Sequence, residues 1–200
     1  MHQNTYLALG DSYTIGEGVS KQESFPYQTV QLLRKAGHDF MDPEIVAKTG
    51  WTSEDLINEI PKRKLASSYN FVTLLIGVNN QFQGRSVEEY SIQFENLLKQ
   101  AIQFAGNNNQ HVIVLSIPDW GATPFAEGRN REQIAKEINA FNKVNQSICE
   151  PYIIPYINIT PGSRKALYDS TLITKDKLHP SSKEYAKWAK KISATISTVL

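Results

Sequence analysis

Phe71-Val72-Thr73-Leu74-Leu75-Ile76-Gly77-Val78-Asn79-Asn80 is an apolar run that stops at a glycine and then two amides. Thr73 alone interrupts the apolar residues from Phe71 to Ile76, as expected of a strand covered on both faces. Four more short runs surround it in sequence: Tyr6 to Leu9, Glu44 to Ala47, His111 to Ile117 and Tyr152 to Ile157. Pro155 interrupts the last of these, which places it at a sheet edge. Helical patterns fill the gaps. Phe25 to Ala36 has Pro26 near its start and stops at Gly37. Ser53 to Ile60 ends at Pro61, and Arg131 to about Cys149 carries Ile134, Ile138, Phe141 and Ile148 on one face. Ser86 with Glu89, and Ser181 with Glu184, have capping-box spacing ahead of two further amphipathic helices. Alternating strands and helices predict an α/β fold, a parallel sheet with helices on both faces. Ligands of such sheets bind at the carboxyl ends of the strands, so the loops there are where function is sought.

Composition narrows the classes. The chain has 200 residues, within the range of a single domain, 1–200, with no repeat or long linker to divide it. Lys and Arg number 21 against 20 Asp and Glu, so nothing in the charge favours nucleic acid or an anionic membrane as partner. Cys149 is the one cysteine, which excludes an internal disulfide framework, and its place on an apolar helix face reads as core. No apolar run reaches the ~18 residues of a membrane span. The N-terminus shows no basic region followed by an apolar stretch. That reads as cytoplasmic, or as secreted or periplasmic if a leader has been removed. Nothing resembles a coiled coil, and oligomeric state is left open. The sequons at Asn145 and Asn158 are read as chance matches. His2, His38 and His111 are read as surface or structural residues, and Lys62-Arg63-Lys64 as a solvated helix end.

Four strand-end segments carry chemistry: Gly10-Asp11-Ser12-Tyr13-Thr14, Lys48-Thr49-Gly50-Trp51, Gly77-Val78-Asn79-Asn80 and, before the last helix, Asp176-Lys177-Leu178-His179. A serine hydroxyl needs a base to become a nucleophile. His179 can accept the Ser12 proton, and Asp176 can hold the other imidazole nitrogen in the required tautomer. A developing oxyanion needs donors, which the Ser12 and Gly50 N–H groups and the Asn79 amide can supply. Asp11 is read as bonding its own loop. Trp51, Tyr13, Phe82, Trp120 and Phe125 lie in or near the same loops, where they could line an acyl or alcohol pocket or only pack the loops. Singly, each motif is a common turn or cap.

Together, in order and over most of the chain, the four segments resemble the SGNH hydrolases, or GDSL-type lipases and esterases. Gly10-Asp11-Ser12, Gly50, Gly77-Val78-Asn79-Asn80 and Asp176-Lys177-Leu178-His179 stand for that family's four blocks. The resemblance implies a three-layer α/β/α fold on a flavodoxin-like, five-stranded parallel sheet. It implies Ser12 as nucleophile, His179 as base and Asp176 as its partner, with an oxyanion hole from Ser12, Gly50 and Asn79. It also implies that no metal or organic cofactor is needed. Two positions depart from the family pattern: Tyr13 stands where leucine is commonest, and Asn80 replaces an aspartate. The expected activity is hydrolysis of carboxylic esters, lipid or carbohydrate esters among them, with short acyl or acetyl groups favoured by the scarcity of insertions for a lid. A lysophospholipase- or thioesterase-type acylhydrolase is the alternative. From other classes, a flavodoxin-like phosphate-binding module and a metal-dependent phosphoesterase using Asp11, Asp176 and His179 are kept for testing. A conventional α/β-hydrolase is set aside because the chain has no Gly-x-Ser-x-Gly.

Overall fold

A computed structural model describes residues 3–200; Met1 and His2, with the surface reading of His2, lie outside the described residues. The five strands are β1 (Tyr6–Asp11), β2 (Glu44–Lys48), β3 (Phe71–Leu75), β4 (Val112–Leu115) and β5 (Tyr156–Ile157). All pair in parallel, in the order β2-β1-β3-β4-β5. The helices are α1 (Ser12–Ile15), α2 (Phe25–Lys35), α3 (Ser53–Glu59), α4 (Val78–Phe82), α5 (Val87–Phe104), α6 (Arg131–Cys149), α7 (Thr160–Ser163) and α8 (Ser182–Ser197). On one face α2 packs on α8; on the other α5 packs on α3 and α6. β1, β3 and β4 are buried along their whole length, which their unbroken apolar runs require.

The register positions the functional loops. Gly10 lies opposite Ala47 and Leu75, and Asp11 opposite Lys48. Ser12, Thr49-Gly50 and Gly77 therefore leave the sheet at nearly the same level. Chain order reverses between β1 and β3, so the carboxyl ends of these two strands form the switch-point crevice. Gly77 makes the turn out of β3 at φ 125°, where a Cβ would meet the Tyr90 hydroxyl at 2.6 Å and Ile117 Cδ1 at 2.7 Å.

Several local readings are corrected. β5 has two residues rather than the run from Tyr152, because Glu150–Tyr152 forms a 3-10 turn and Ile153 is left-handed at φ 55°. It does lie at the edge, and the Pro155 carbonyl accepts from Val114 N–H at 3.0 Å. β4 stops before Ile117 because the Asn142 amide takes both backbone groups of Ile117, at 2.7 and 3.0 Å. At Ser86 only half of the expected capping box forms: its hydroxyl accepts from Glu89 N–H, while the Glu89 carboxylate turns to Arg85. At Ser181 none forms. Its hydroxyl donates to the Thr171 carbonyl, and the buried Glu184 carboxylate accepts from the Trp188 indole N–H at 3.0 Å and from Lys187 at 2.7 Å. The reciprocal box forms instead between Thr52 and Asp55. Lys62 and Arg63 pair with Glu59 at the surface, as a solvated helix end would. Cys149 is buried, and burial pushes its thiol up to about 12. Asn145 is wholly buried on α6, which removes its sequon from consideration.

Candidate active site

Ser12 is the first residue of α1, held at the end of β1 by a cap. The Asp11 carboxylate accepts from Tyr13 N–H at 3.0 Å. Asp11 thus bonds its own loop. It is 1% exposed, and burial, against the hydrogen bond from Tyr13, raises its carboxyl to about 7. His179 comes from the far end of the chain and meets Ser12 there. Ser12 Oγ lies 2.9 Å from His179 Nε2, and His179 Nδ1 lies 2.7 Å from Asp176 Oδ2.

Protonation states follow from the Asp176 environment. Burial pushes this carboxyl up, but the Thr174 hydroxyl at 2.6 Å, the His179 and Leu178 N–H groups at 3.0 and 2.9 Å and the imidazole outweigh it and hold the carboxyl at about 2. An ionised carboxylate only accepts, so the Nδ1 proton points at Asp176. In the neutral ring Nε2 is then the acceptor, and the Ser12 hydroxyl donates to it. Thr174, two residues before Asp176, was not singled out in the sequence; nothing distinguishes it there from other loop threonines.

Tyr13 has a structural account. It is 3% exposed and packs between two groups: its ring centroid is 5.2 Å from that of His179 and 6.5 Å from that of Trp188. Trp188 in turn contacts Phe25 and Tyr185, so α2 and α8 back the imidazole through one aromatic side chain. Burial first, then the carboxylates of Asp11 and Asp176, keep the Tyr13 phenol protonated. Asn80 also has one. Fully buried, it accepts from Ser53 N–H at 2.9 Å and donates to Ser53 Oγ at 2.8 Å. A carboxylate could not donate, so the amide suits a serine hydroxyl that itself reaches Gln93.

Ser12 and His179 open on a cleft also lined by Tyr13, Val78, Asn79, Phe82, Trp120, Phe125 and Leu178. Tyr13, Phe82, Trp120 and Phe125 are where the sequence placed a pocket wall. Trp51 is not; its carbonyl accepts from Asn79 Nδ2 at 2.8 Å. Gly50 is not among the lining residues either. It sits in an exposed turn at φ 82° with open space beside it, and the neighbouring Thr49 hydroxyl bonds Glu17. Val78 and Leu178 join the wall from inside two motifs. Trp120 is fixed by a polar line the sequence did not reveal. Its indole N–H donates to Gln81 Oε1 at 2.7 Å, and the Gln81 amide donates to Glu137 at 2.7 Å. Asp119 holds the same loop by accepting from Gly121 N–H at 2.9 Å and from Arg164 Nε at 2.8 Å. Among the described residues no three His, Cys, Asp or Glu side chains converge to hold a metal ion, so Asp11 does not join Asp176 and His179 in that way. No helix among them is long and apolar enough to cross a membrane.

A hydroxyl, an imidazole and a carboxylate in one hydrogen-bonded line, beside an apolar cleft, are the parts acyl transfer uses. The sequence profile of the GDSL-like lipase/acylhydrolase family matches residues 8–187. The structure superposes on that of TesA with a TM-score of 0.78 at 16% identity, covering 98% of this chain and 100% of that one. For a lipase/acylhydrolase from Enterococcus faecalis the values are 0.72 and 21%, covering 99% and 97%. For the psychrotrophic esterase EstA from Pseudoalteromonas sp. they are 0.71 and 18%, covering 98% of each. At such identities these likenesses speak for the fold, the three-layer arrangement expected above. No curated protein sequence matches the chain. The chain belongs to the GDSL-like lipase/acylhydrolase family, and its class is that of carboxylic ester hydrolases.

Proposed function

We propose that the chain, as a single catalytic unit, hydrolyses small carboxylic esters with short acyl groups through an acyl-enzyme on Ser12. The observation that carries this is the continuous line from Ser12 Oγ through His179 to Asp176, opening on an aromatic cleft. In this reading His179 Nε2 takes the Ser12 proton as Oγ attacks the ester carbonyl, and passes it to the leaving alcohol. Asp176 stabilises the imidazolium between the two transfers. Water then enters, is deprotonated by His179, and releases the acid. The Ser12 and Gly50 N–H groups and the Asn79 amide are the proposed oxyanion donors. Asn79 lines the cleft and spends one amide proton on Trp51, which leaves the second for substrate.

The test is hydrolysis of p-nitrophenyl acetate, butyrate and octanoate by the wild type and by Ser12→Ala. We expect rates that fall from butyrate to octanoate and a loss of about 10⁴-fold or more in the variant. A profile rising to octanoate would replace the short-acyl reading by a longer-chain acylhydrolase. Equal inertness of both proteins, with no labelling of Ser12 by a fluorophosphonate probe, would remove the serine mechanism.

A further inference from the structure

Arg129 stands at the edge of the cleft with its charge uncompensated. Its guanidinium carbon lies 5.7 Å from the ring centre of Phe82 and 5.9 Å from that of Trp120, both cleft-lining residues. No carboxylate pairs with it among the described residues, and no side-chain hydrogen bond is made by its donors; its backbone N–H alone is engaged, with the Ala126 carbonyl at 3.1 Å. Most other arginines of the chain are committed: Arg34 to Asp42, Arg63 to Glu59, Arg85 to Glu54 and Glu89, Arg164 to Asp119. Arg131, two residues on, is bound to the Gly121 and Thr123 carbonyls.

The aromatic surface beneath the guanidinium is held rather than loose. Phe82, Trp120 and Phe125 pack on one another with ring centroids 5.2 to 6.3 Å apart. The Arg129 loop is tied to the loop of Asp176 and His179, since Phe125 N–H donates to the Lys177 carbonyl at 3.1 Å. A stacked guanidinium keeps its edge donors free, in the planar fork that matches a carboxylate. The cleft wall itself has no acidic residue to neutralise it.

We propose that Arg129 is a specificity-determining residue, selecting esters whose acyl chain ends in a carboxylate, the half-esters of dicarboxylic acids. The acyl chain lies along Phe82 and Trp120, and its far carboxylate meets the guanidinium beyond them. This rests on the ester-hydrolase reading of Ser12 and adds to it the charge of the substrate.

The experiment compares two length-matched pairs, ethyl butyrate with monoethyl succinate and ethyl hexanoate with monoethyl adipate, by the ethanol released. The quantity read is the ratio of kcat/KM for the anionic member to that for the neutral one. In the wild type this ratio should exceed one in at least one pair. In Arg129→Gln it should fall about tenfold, through KM of the anionic ester, the usual scale for losing a hydrogen-bonded charge pair. Arg129→Glu should lower it further, and Arg129→Lys should restore part of it. A guanidinium that only braces the aromatic wall would lower both members together and leave the ratio unchanged, which overturns the proposal. So does a wild-type ratio at or below one in both pairs. Neutral esters hydrolysed without charge preference sink the role of Arg129 alone. No hydrolysis of any ester, with Ser12 unlabelled by a fluorophosphonate, sinks both it and the mechanism.

Discussion

Ser12 and His179 face each other at 2.9 Å, 4% and 6% exposed, and every polar atom of the line to Asp176 has a partner. On the other side of the same crevice, Gly50 lies on an exposed turn outside the cleft lining, and the Asn79 amide is bonded to the Trp51 carbonyl. The side proposed to move protons is already hydrogen-bonded in the structure. The side proposed to hold the oxyanion is assembled in part. The difference follows from what each must do. A relay of charge-assisted hydrogen bonds is satisfied internally and can be buried in the empty protein. Donors reserved for an oxyanion must stay free of protein partners, so they are least costly at a solvent-facing rim: Gly50 is exposed there, and Asn79 commits one amide proton to Trp51 and keeps the second free.

The comparison breaks most sharply at Asp176. Asparagine there keeps an acceptor for Thr174 and the two backbone N–H groups but offers its NH2 to His179 Nδ1. The imidazole must then carry its proton on Nε2, facing Ser12, where it cannot accept. Asp176→Asn should reduce kcat by about 10³–10⁴ with little change in KM. The same rate in the variant as in the wild type would mean that the carboxylate does not set the tautomer. Asn79→Ala, on the less assembled side, should cost about 10²–10³ in kcat. Full activity would remove Asn79 from the oxyanion hole and leave it as a tie to the Trp51 loop.

A third change separates stability from catalysis on the buried side. Asp11 has a carboxyl raised to about 7 by burial, above its value in the unfolded chain. Between the two values the folded state binds the extra proton. Its contribution is therefore complete below about pH 4 and is lost as pH rises toward 7. The loss is at most roughly 4 kcal/mol by linkage. Asp11→Asn keeps an acceptor for Tyr13 N–H and cannot ionise. Chemical denaturation from pH 4 to 8 should show a stability that declines in the wild type and declines less in the variant. Identical slopes would mean that Asp11 titrates as in the unfolded chain.

What could be read in advance divides along the same line. β1, β3 and β4 were legible because a strand buried on both faces must be apolar throughout, and the meeting of Ser12 with Asp176 and His179 was legible because two short motifs, Gly-Asp-Ser and Asp-x-x-His, fall at loops that the fold brings together. The capping boxes and the ends of β4 and β5 differ from the local pattern because other partners compete. Glu184 turns along its own helix to Trp188 and Lys187, Glu89 turns to Arg85, a 3-10 turn over Glu150–Tyr152 shortens β5, and Asn142 replaces the ladder at Ile117. The Gln81–Trp120 bond and the stacking of Arg129 on Phe82 join distant segments through side chains that are unremarkable in their own helices and loops. No spacing rule reaches that far. Trp51 drew notice as an aromatic beside Gly50, but its backbone carbonyl is what touches the site.

Gly50 gives the smallest expected effect and the finest test of the comparison. At φ 82° a Cβ has room, so alanine costs backbone conformation alone, on the order of 1 kcal/mol. The N–H of residue 50 survives the change, and only its direction shifts as the turn relaxes. If that N–H turns toward the oxyanion when substrate binds, Gly50→Ala should lower kcat up to about tenfold while KM holds, a partial loss of one donor. Combined with Asn79→Ala, the two losses should then couple rather than add, because both donors serve one oxygen. A variant that loses stability but keeps full kcat would return Gly50 to the role of a turn residue. The oxyanion would then rest on Asn79 and the Ser12 N–H, and the less assembled side of the crevice would be smaller than the four-segment pattern implies.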